Sequence, residues 1–212
     1  SANITINPLP VVTSAASQNP ICVGQSTVLT GSGANTYNWA LFFSPGTSIG
    51  STASVSVSPS VSTLYLVTGT SSAGCENIDT IRVIVHPLPT VIVSAAHDTI
   101  CAGDTIQLNA SGATNYTWNI LGGGTIGSGT SILVSPANAT TYVLSGTDVN
   151  NCSNNDTIAI TVNPAATVSG ITGTLSLCPG VAGVPYWVNN PNASSTYAWT
   201  ISNGTISSGQ GN

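Results

Sequence analysis

This sequence predicts an all-β fold, laid out as a linear array of small β-sandwich modules, on three observations. The first is repetition at a period of about 79 residues. Pro-Leu-Pro at 8–10 returns as Pro87-Leu88-Pro89 (87 − 8 = 79), and Ile21-Cys22-Val23-Gly24 returns as Ile100-Cys101-Ala102-Gly103. Trp39 and Trp118, also 79 apart, close the matching segments 31–39 and 110–118. A third copy opens at Asn163-Pro164 and carries Cys178-Pro179-Gly180 and Thr196-Tyr197-Ala198-Trp199. The second observation is a succession of short runs rich in β-branched and aromatic residues, bounded by Gly, Pro, Ser and Asn, with no sustained helical period. The third is composition. Only 3% of the 212 residues are charged, with Arg82 as the single basic side chain of the Lys and Arg type, where ordinary globular domains carry roughly a quarter. Hydrophobic content of 41% is nonetheless ample for a core. Ser, Thr, Asn and Gly therefore form the outside.

In the first module, strands are predicted over 10–16, 25–31, 36–41, 52–58, 63–70 and 77–85. The second repeats them at 90–96, 104–110, 115–121, 131–135, 141–147 and 155–162. Six or seven short strands in about 79 residues, with turn signals every 8–12 residues, is the pattern of an immunoglobulin-like sandwich. Trp39, Trp118 and Trp199 fall in the third strand, as core fillers. Tyr65 and Tyr142 sit where such sandwiches place a structural tyrosine. Residues 1–7 match the strands that close both complete modules, so they read as the closing strand of a preceding module. Module 1 then spans 8–86, module 2 spans 87–163, and 164–212 is the first half of a third. No run approaches the ~18 apolar residues of a membrane span. A net charge of −5 argues against nucleic acid, which demands a basic stripe.

The five cysteines occupy repeat positions. Cys22 is assigned to Cys75 and Cys101 to Cys152, because each pair holds the same two positions in its module. The partner of Cys178 is expected beyond Asn212. Cys22 precedes the second strand and Cys75 lies before the last one, so the bridge is expected to staple an end of the sandwich. A closed loop of 53 residues (75 − 22) contributes about 4 kcal/mol on the chain-entropy model.

Four elements carry a family resemblance: the Cys-x-Gly-x-(Ser/Thr)-x-x-Leu opening, the Tyr-x-Trp strand, Ser-Pro-x-x-x-Thr-x-Tyr, and the closing Cys-x-x-x-Asp-Thr-Ile with Val-x-Pro. Together they resemble the tandem Ig-like and PKD-like repeats of long secreted surface proteins of the Bacteroidota, of the gliding-adhesin or surface-fibre type. The third module, with Tyr186, 196–201 and 204–211, is similar to the PKD-like variant. The resemblance implies an Ig-like fold, export by the type IX route and an extracellular, cell-surface location. Function follows from it only weakly, because such repeats serve as spacers, adhesins and fibre subunits alike.

Four of the Asp residues are followed by Thr-Ile, at Asp79, Asp98, Asp104 and Asp156. Asp-(Ser/Thr)-aliphatic resembles the O-glycan acceptor signal of the same secreted proteins, which marks Thr80, Thr99, Thr105 and Thr157 as acceptors. A glycan would supply the solubility that charge does not supply here. The plainer reading is that Asp-Thr-Ile begins a strand. Sequons at Asn109, Asn115, Asn138, Asn192 and Asn203 say little in a chain this rich in Asn and Thr.

Nothing in the sequence assembles catalytic or cofactor chemistry, and neither enzymatic activity nor a cofactor is expected. His86 and His97 lie near the module junction without a metal-spaced cluster. No nucleophile elbow appears among the serines. Glu76 and Asp148 are isolated, which excludes a paired-carboxylate glycosidase. Gly122-Gly123-Gly124 follows the Trp strand and reads as a turn, not a phosphate cradle. Asp98 and Asp104 are too few for a good calcium site. Phe42-Phe43 and Tyr186-Trp187 offer a sugar-stacking platform or, as strand-borne aromatics, core.

The expected function is a non-catalytic, glycosylated stalk or fibre on a bacterial surface. The rival is an adhesin or carbohydrate-binding spacer with surface glycans as ligands. Pro8-Leu9-Pro10 and Pro87-Leu88-Pro89 make each junction short and semi-rigid. Fibre formation comes either from one long polypeptide or from self-association, in which the lone first strand completes the last module of the next copy.

Overall fold

The computed structural model describes residues 6–164, 170–173, 178, 180–189, 200 and 205. Its first sandwich is built from β1 (Thr13–Ala16), β2 (Ile21–Cys22), β3 (Thr27–Ser32), β4 (Thr36–Leu41), β5 (Ser44–Gly50), β6 (Ser54–Val57), β7 (Thr63–Thr70), β8 (Glu76–Val83) and β9 (Val85–His86). One sheet runs β1-β3-β6 and the facing sheet β5-β4-β7-β8, all antiparallel, while β2 lies parallel to β9. The second sandwich repeats the plan with β10 (Ile92–Ala95), β11 (Thr99–Cys101), β12 (Ile106–Ser111), β13 (Asn115–Ile120), β14 (Thr125–Ser128), β15 (Ser131–Val134), β16 (Thr140–Thr147) and β17 (Ser153–Asn163). Its sheets run β10-β12-β15 and β11-β17-β16-β13-β14. Beyond them β18 (Ile171–Thr172) pairs with β19 (Trp187–Val188). These are immunoglobulin-like β-sandwiches, with each first strand on one sheet and the start of the second segment on the other.

Alternation decides which residues go inside. In β3 the burial pattern is strictly in-out, with Thr27, Leu29 and Gly31 inward; β7 and β16 send Tyr65 and Val67, and Tyr142 and Leu144, to the core. One core gathers Val12, Ile21, Leu29, Trp39, Val57, Tyr65, Val67 and Val83. The other gathers Val91, Ile100, Ile106, Leu108, Tyr116, Trp118, Tyr142, Leu144 and Ile160. Trp39 and Trp118 are fully buried, and each indole N–H donates to a carbonyl, Thr52 O at 3.2 Å and Gly129 O at 3.0 Å. A buried tryptophan needs that partner.

A second hook recurs. The Tyr37 hydroxyl accepts from Ala34 N and donates to Ala34 O, both at 3.0 Å, and Tyr116 does the same with Ala113 at 2.8 and 2.7 Å. Gly33 and Gly112 precede these hooks with φ of 88° and 90°. A Cβ there would come within 1.8 Å of the carbonyl oxygen of Val11 or Thr90, so only glycine fits.

The sequence-derived strands coincide with β1, β3, β4, β6, β7 and β8 and with their counterparts in the second sandwich. They omit β2, β5, β11 and β14, and the run 77–85 merges β8 with the start of β9. The Tyr-x-Trp segment 196–201 and the run 204–211 fall almost wholly outside the described residues.

Candidate functional site at the module junction

Each opening cysteine starts the same turn. Gln25 N donates to Cys22 O and Asp104 N to Cys101 O, both at 3.0 Å, and Val181 N donates to Cys178 O at 3.3 Å. The second residue after each cysteine is a left-handed glycine, with φ of 87°, 95° and 86° at Gly24, Gly103 and Gly180, as a turn requiring positive φ demands. Side chains close the turn from the other side: Cys22 N donates to Gln25 Oε1 at 2.9 Å, and Cys101 N to Asp104 Oδ2 at 3.1 Å. The turn sits at the far end of the module's last strand. Cys22 pairs with His86 and Cys101 with Asn163, and Val23 N and Ala102 N extend those ladders to His86 O and Asn163 O.

Each later cysteine ends a turn at the other extreme. Cys75 N donates to Ser71 Oγ at 3.1 Å and Cys152 N to Asp148 Oδ1 at 2.9 Å. Gly74 and Asn151 take the left-handed position, at φ 80° and 61°; Asn is the non-glycine residue best suited to it.

This placement overturns the assignment of Cys22 to Cys75 and of Cys101 to Cys152. Between Cys75 and His86 run 11 residues (86 − 75) of extended chain, about 36 Å at ~3.3 Å per residue. A disulfide tolerates only about 4.4–6.8 Å between Cα atoms. Cys152 stands equally far, 11 residues (163 − 152), from the residue paired with Cys101. The bond that forms joins Cys22 to Cys152, 130 residues apart in sequence, with Cα atoms 5.6 Å apart. It links one sandwich to the next and does not staple either one to itself. Cys75, Cys101 and Cys178 form no disulfide with one another or with any other described residue.

The junction around the bond is a shallow recess lined by residues of both sandwiches, among them Cys22, Gln25, Leu88, Asn151 and Ser153. Cys152 is completely buried. The proline segments are anchored as well as stiff. Pro10 and Pro89 are buried, and their carbonyls accept from Asn77 Nδ2 and Asn154 Nδ2, each at 3.0 Å.

All four threonines read as acceptors, Thr80, Thr99, Thr105 and Thr157, are exposed. Their aspartates have structural partners. Asp79 Oδ2 accepts from Ser14 N and Ser14 Oγ, both at 2.7 Å, and Asp156 Oδ2 accepts from Val93 N at 2.9 Å. Each thereby ties the last long strand to the first strand of the opposite sheet. The Ser14 hydroxyl is the main reason the Asp79 carboxyl is held below the ordinary carboxylate range; backbone N–H donors from Thr80 and Ser14 add to it, and partial burial opposes it. Asp104 closes the Cys101 turn, and Asp98 Oδ1 accepts from Thr99 Oγ1 at 3.1 Å. Burial raises the Tyr65 and Tyr142 phenols.

His86 sits half-buried in β9 and His97 is exposed. Among the described residues no group of three or more His, Cys, Asp or Glu is placed to hold a metal ion, and no helix is long and apolar enough to cross a membrane. Phe42 and Phe43 are not core. They project from the β4–β5 hairpin at 40% and 86% exposure, with ring centroids 5.2 Å apart in an edge-to-face pair. Tyr186 and Trp187 are also exposed, at 41% and 52%.

Residues 164–212 match the family of the PKD-like domain. No match was found among curated proteins. Among solved structures, the chain is similar to fibronectin(III)-like modules of Clostridium thermocellum CbhA, at 10% identity and a TM-score of 0.39, over 72% of this chain and 95% of that one. It is similar to the Ig1–Ig3 ectodomain of mouse nectin-like molecule 4, at 14% identity and a TM-score of 0.33, over 76% and 67%. It is also similar to a Ca2+-stabilized adhesin of an Antarctic bacterium, at 16% identity and a TM-score of 0.40, over 79% and 52%. The sheet order, and not these superpositions, carries the fold. The fold defines the class: a chain of immunoglobulin-like β-sandwich modules. Its segment 164–212 is similar to PKD-like domains.

Proposed function

We propose that this chain is a non-catalytic structural array on the outside of a bacterial cell, part of a stalk or fibre of the kind found in long Bacteroidota surface proteins. The observation that carries the reading is the junction, where a disulfide and an anchored proline segment fix one sandwich to the next. Enzymes seldom invest in such a joint; a device that must hold a direction over distance needs one. A disulfide also suits an oxidising, extracellular setting. O-linked sugar on the exposed Thr80, Thr99, Thr105 and Thr157 would complete a surface almost without charge.

Electron microscopy of the natively produced protein tests the array. A rod with an axial repeat near 40 Å is expected, since eleven residues of strand alone span about 36 Å. Globular particles would refute it. Glycopeptide mass spectrometry tests the sugars independently: unmodified peptides at all four threonines would remove glycosylation and leave the array intact. Intact mass of the denatured protein separates exchange of subunits, near 21.2 kDa plus sugar, from one much longer polypeptide.

A second reading, an adhesive or sugar-binding spacer, is favoured by one observation, the exposed Phe42–Phe43 pair at a hairpin tip. Loss of glycan binding in Phe43→Ala would support it, and absence of binding by the parent chain would end it.

A further inference from the structure

We propose that Cys75 and Cys101 are each one half of a junction staple like the one Cys22 and Cys152 complete, the other half being a cysteine on the flanking module of the same polypeptide. The proposal rests on the array reading and adds a covalent rule to it: the opening cysteine of each module bonds the later cysteine of the next. Every module is then cross-linked forwards and backwards, and no module is cross-linked to itself.

Three placements carry the inference. First, Cys101 stands where Cys22 stands, in the same turn and in parallel register with the end of its module's last strand, opposite Asn163 as Cys22 is opposite His86. Second, Cys75 stands where Cys152 stands, at the end of a turn closed on its own amide and with a left-handed residue just before it. Third, Cys75 Sγ lies 3.8 Å from the carbonyl of Asn7. Asn7 is the repeat counterpart of His86 (86 − 7 = 79), and His86 is the residue beside which Cys22 pairs. An opening cysteine paired with Asn7 in that register would therefore meet Cys75 as Cys22 meets Cys152. The turn at Cys178 shows that the following copy opens in the same way. The partner of Cys101 is accordingly placed 51 to 53 residues past Cys178, the spacing of 101 to 152 and of 22 to 75.

The chemistry is a two-electron oxidation at each junction. Two thiols lose two protons and two electrons as one S–S bond forms. A protein disulfide of the oxidase class takes both through a mixed-disulfide intermediate and leaves as a dithiol. The half-buried Cys75 and exposed Cys101 are open to that exchange.

The test is disulfide mapping of the natively produced full-length chain. Free thiols are blocked with N-ethylmaleimide in denaturant without reductant, and the protein is cut with pepsin, because a chain with one Lys or Arg in 212 residues gives trypsin almost nothing. The expected result is a Cys22–Cys152 peptide, no maleimide on Cys75 or Cys101, and each of these two linked to a cysteine of a flanking module. In the Cys101→Ser chain, one cysteine of the following module should become fully maleimide-labelled while the Cys22–Cys152 peptide persists. Maleimide on Cys75 or Cys101 of the parent chain would overturn the proposal, as would a Cys75–Cys101 link between copies or a Cys22–Cys75 link. A rod in the microscope with labelled Cys75 and Cys101 would fail the staple rule alone; globular particles would fail the array itself.

Discussion

At the edge where the last long strand meets the first, the two sandwiches solve one packing problem with different atoms. In module 1, Asp79 takes two hydrogen bonds from Ser14. In module 2, Val93 stands at the equivalent position (93 − 14 = 79) and offers only its amide to Asp156. At the other end of the same strand the difference is larger. Asn19 donates from Nδ2 to Arg82 O and accepts at Oδ1 from Ile84 N, wedging itself into the strand and dividing it into β8 and β9. The counterpart of Asn19 is Asp98 (98 − 19 = 79), which accepts but cannot donate when ionised. Thr161 N bonds the Asp98 backbone carbonyl instead, and β17 runs unbroken from Ser153 to Asn163. Repeats of one plan thus keep the contacts made by buried groups and drift at exposed polar ones, where a lost bond costs little.

The comparison is most severely tested at the tryptophans. Trp39→Ala and Trp118→Ala should each cost about 3–5 kcal/mol in their own sandwich, read as two separable shifts in denaturant unfolding followed by near-UV signals. Unequal losses would mean that the cores are not equivalent.

The bond between modules comes next. With module 2 folded, unfolded module 1 is a closed loop from residue 22 to the junction at 86, and the reverse holds for 87 to 152. Each loop is near 65 residues, which gives about 4 kcal/mol on the chain-entropy model. Cys22→Ser and Cys152→Ser should therefore produce the same destabilisation of both modules, and the double variant no more than either. Additive losses confined to one module each would restore bridges within modules.

A smaller effect separates the two aspartates. Because Asp79 has a lower pKa folded than unfolded (ordinarily near 3.9), its contribution is complete above the unfolded value and is lost as pH falls through the folded one. Ser14→Ala should cost module 1 about 1 kcal/mol and flatten its acid destabilisation below about pH 4, measured by urea midpoints from pH 2 to 7. Unchanged midpoints would show the Ser14 bond to be inert. Smallest of all, Asn19→Ala should leave the fold intact and raise hydrogen exchange at the Ile84 amide, which loses its Oδ1 acceptor in the wedge.

Much of this was legible beforehand. Trp39, Trp118, Tyr65 and Tyr142 announced the core because large aromatics flanked by β-branched alternation have few other places to go. The strands that escape lack that pattern: β5 is Ser-Pro-Gly-Thr-Ser-Ile-Gly, exposed almost throughout, and β2 is two residues long. The hooks of Tyr37 and Tyr116 were visible only as the repeated Gly-Ala-x-x-Tyr spacing. The cysteines mislead because two positions shared by every repeat need not be close in space. Their true pairing depends on β2 running parallel to β9, a register that no local pattern encodes. Asp-Thr-Ile drew attention to its threonines, and the structure gives Asp79 and Asp156 a bracing role between sheets that is sufficient reason for them to recur.

Under tension, the Cys22–Cys152 bond changes which part of the polypeptide bears the load. Force entering along the first strand reaches sulfur at residue 22, crosses to residue 152 and leaves through β17. The 130 residues between them are taken out of the pulling line. Fully drawn out, they would lengthen the chain by about 450 Å, so reduction of a single covalent bond converts an inextensible segment into slack.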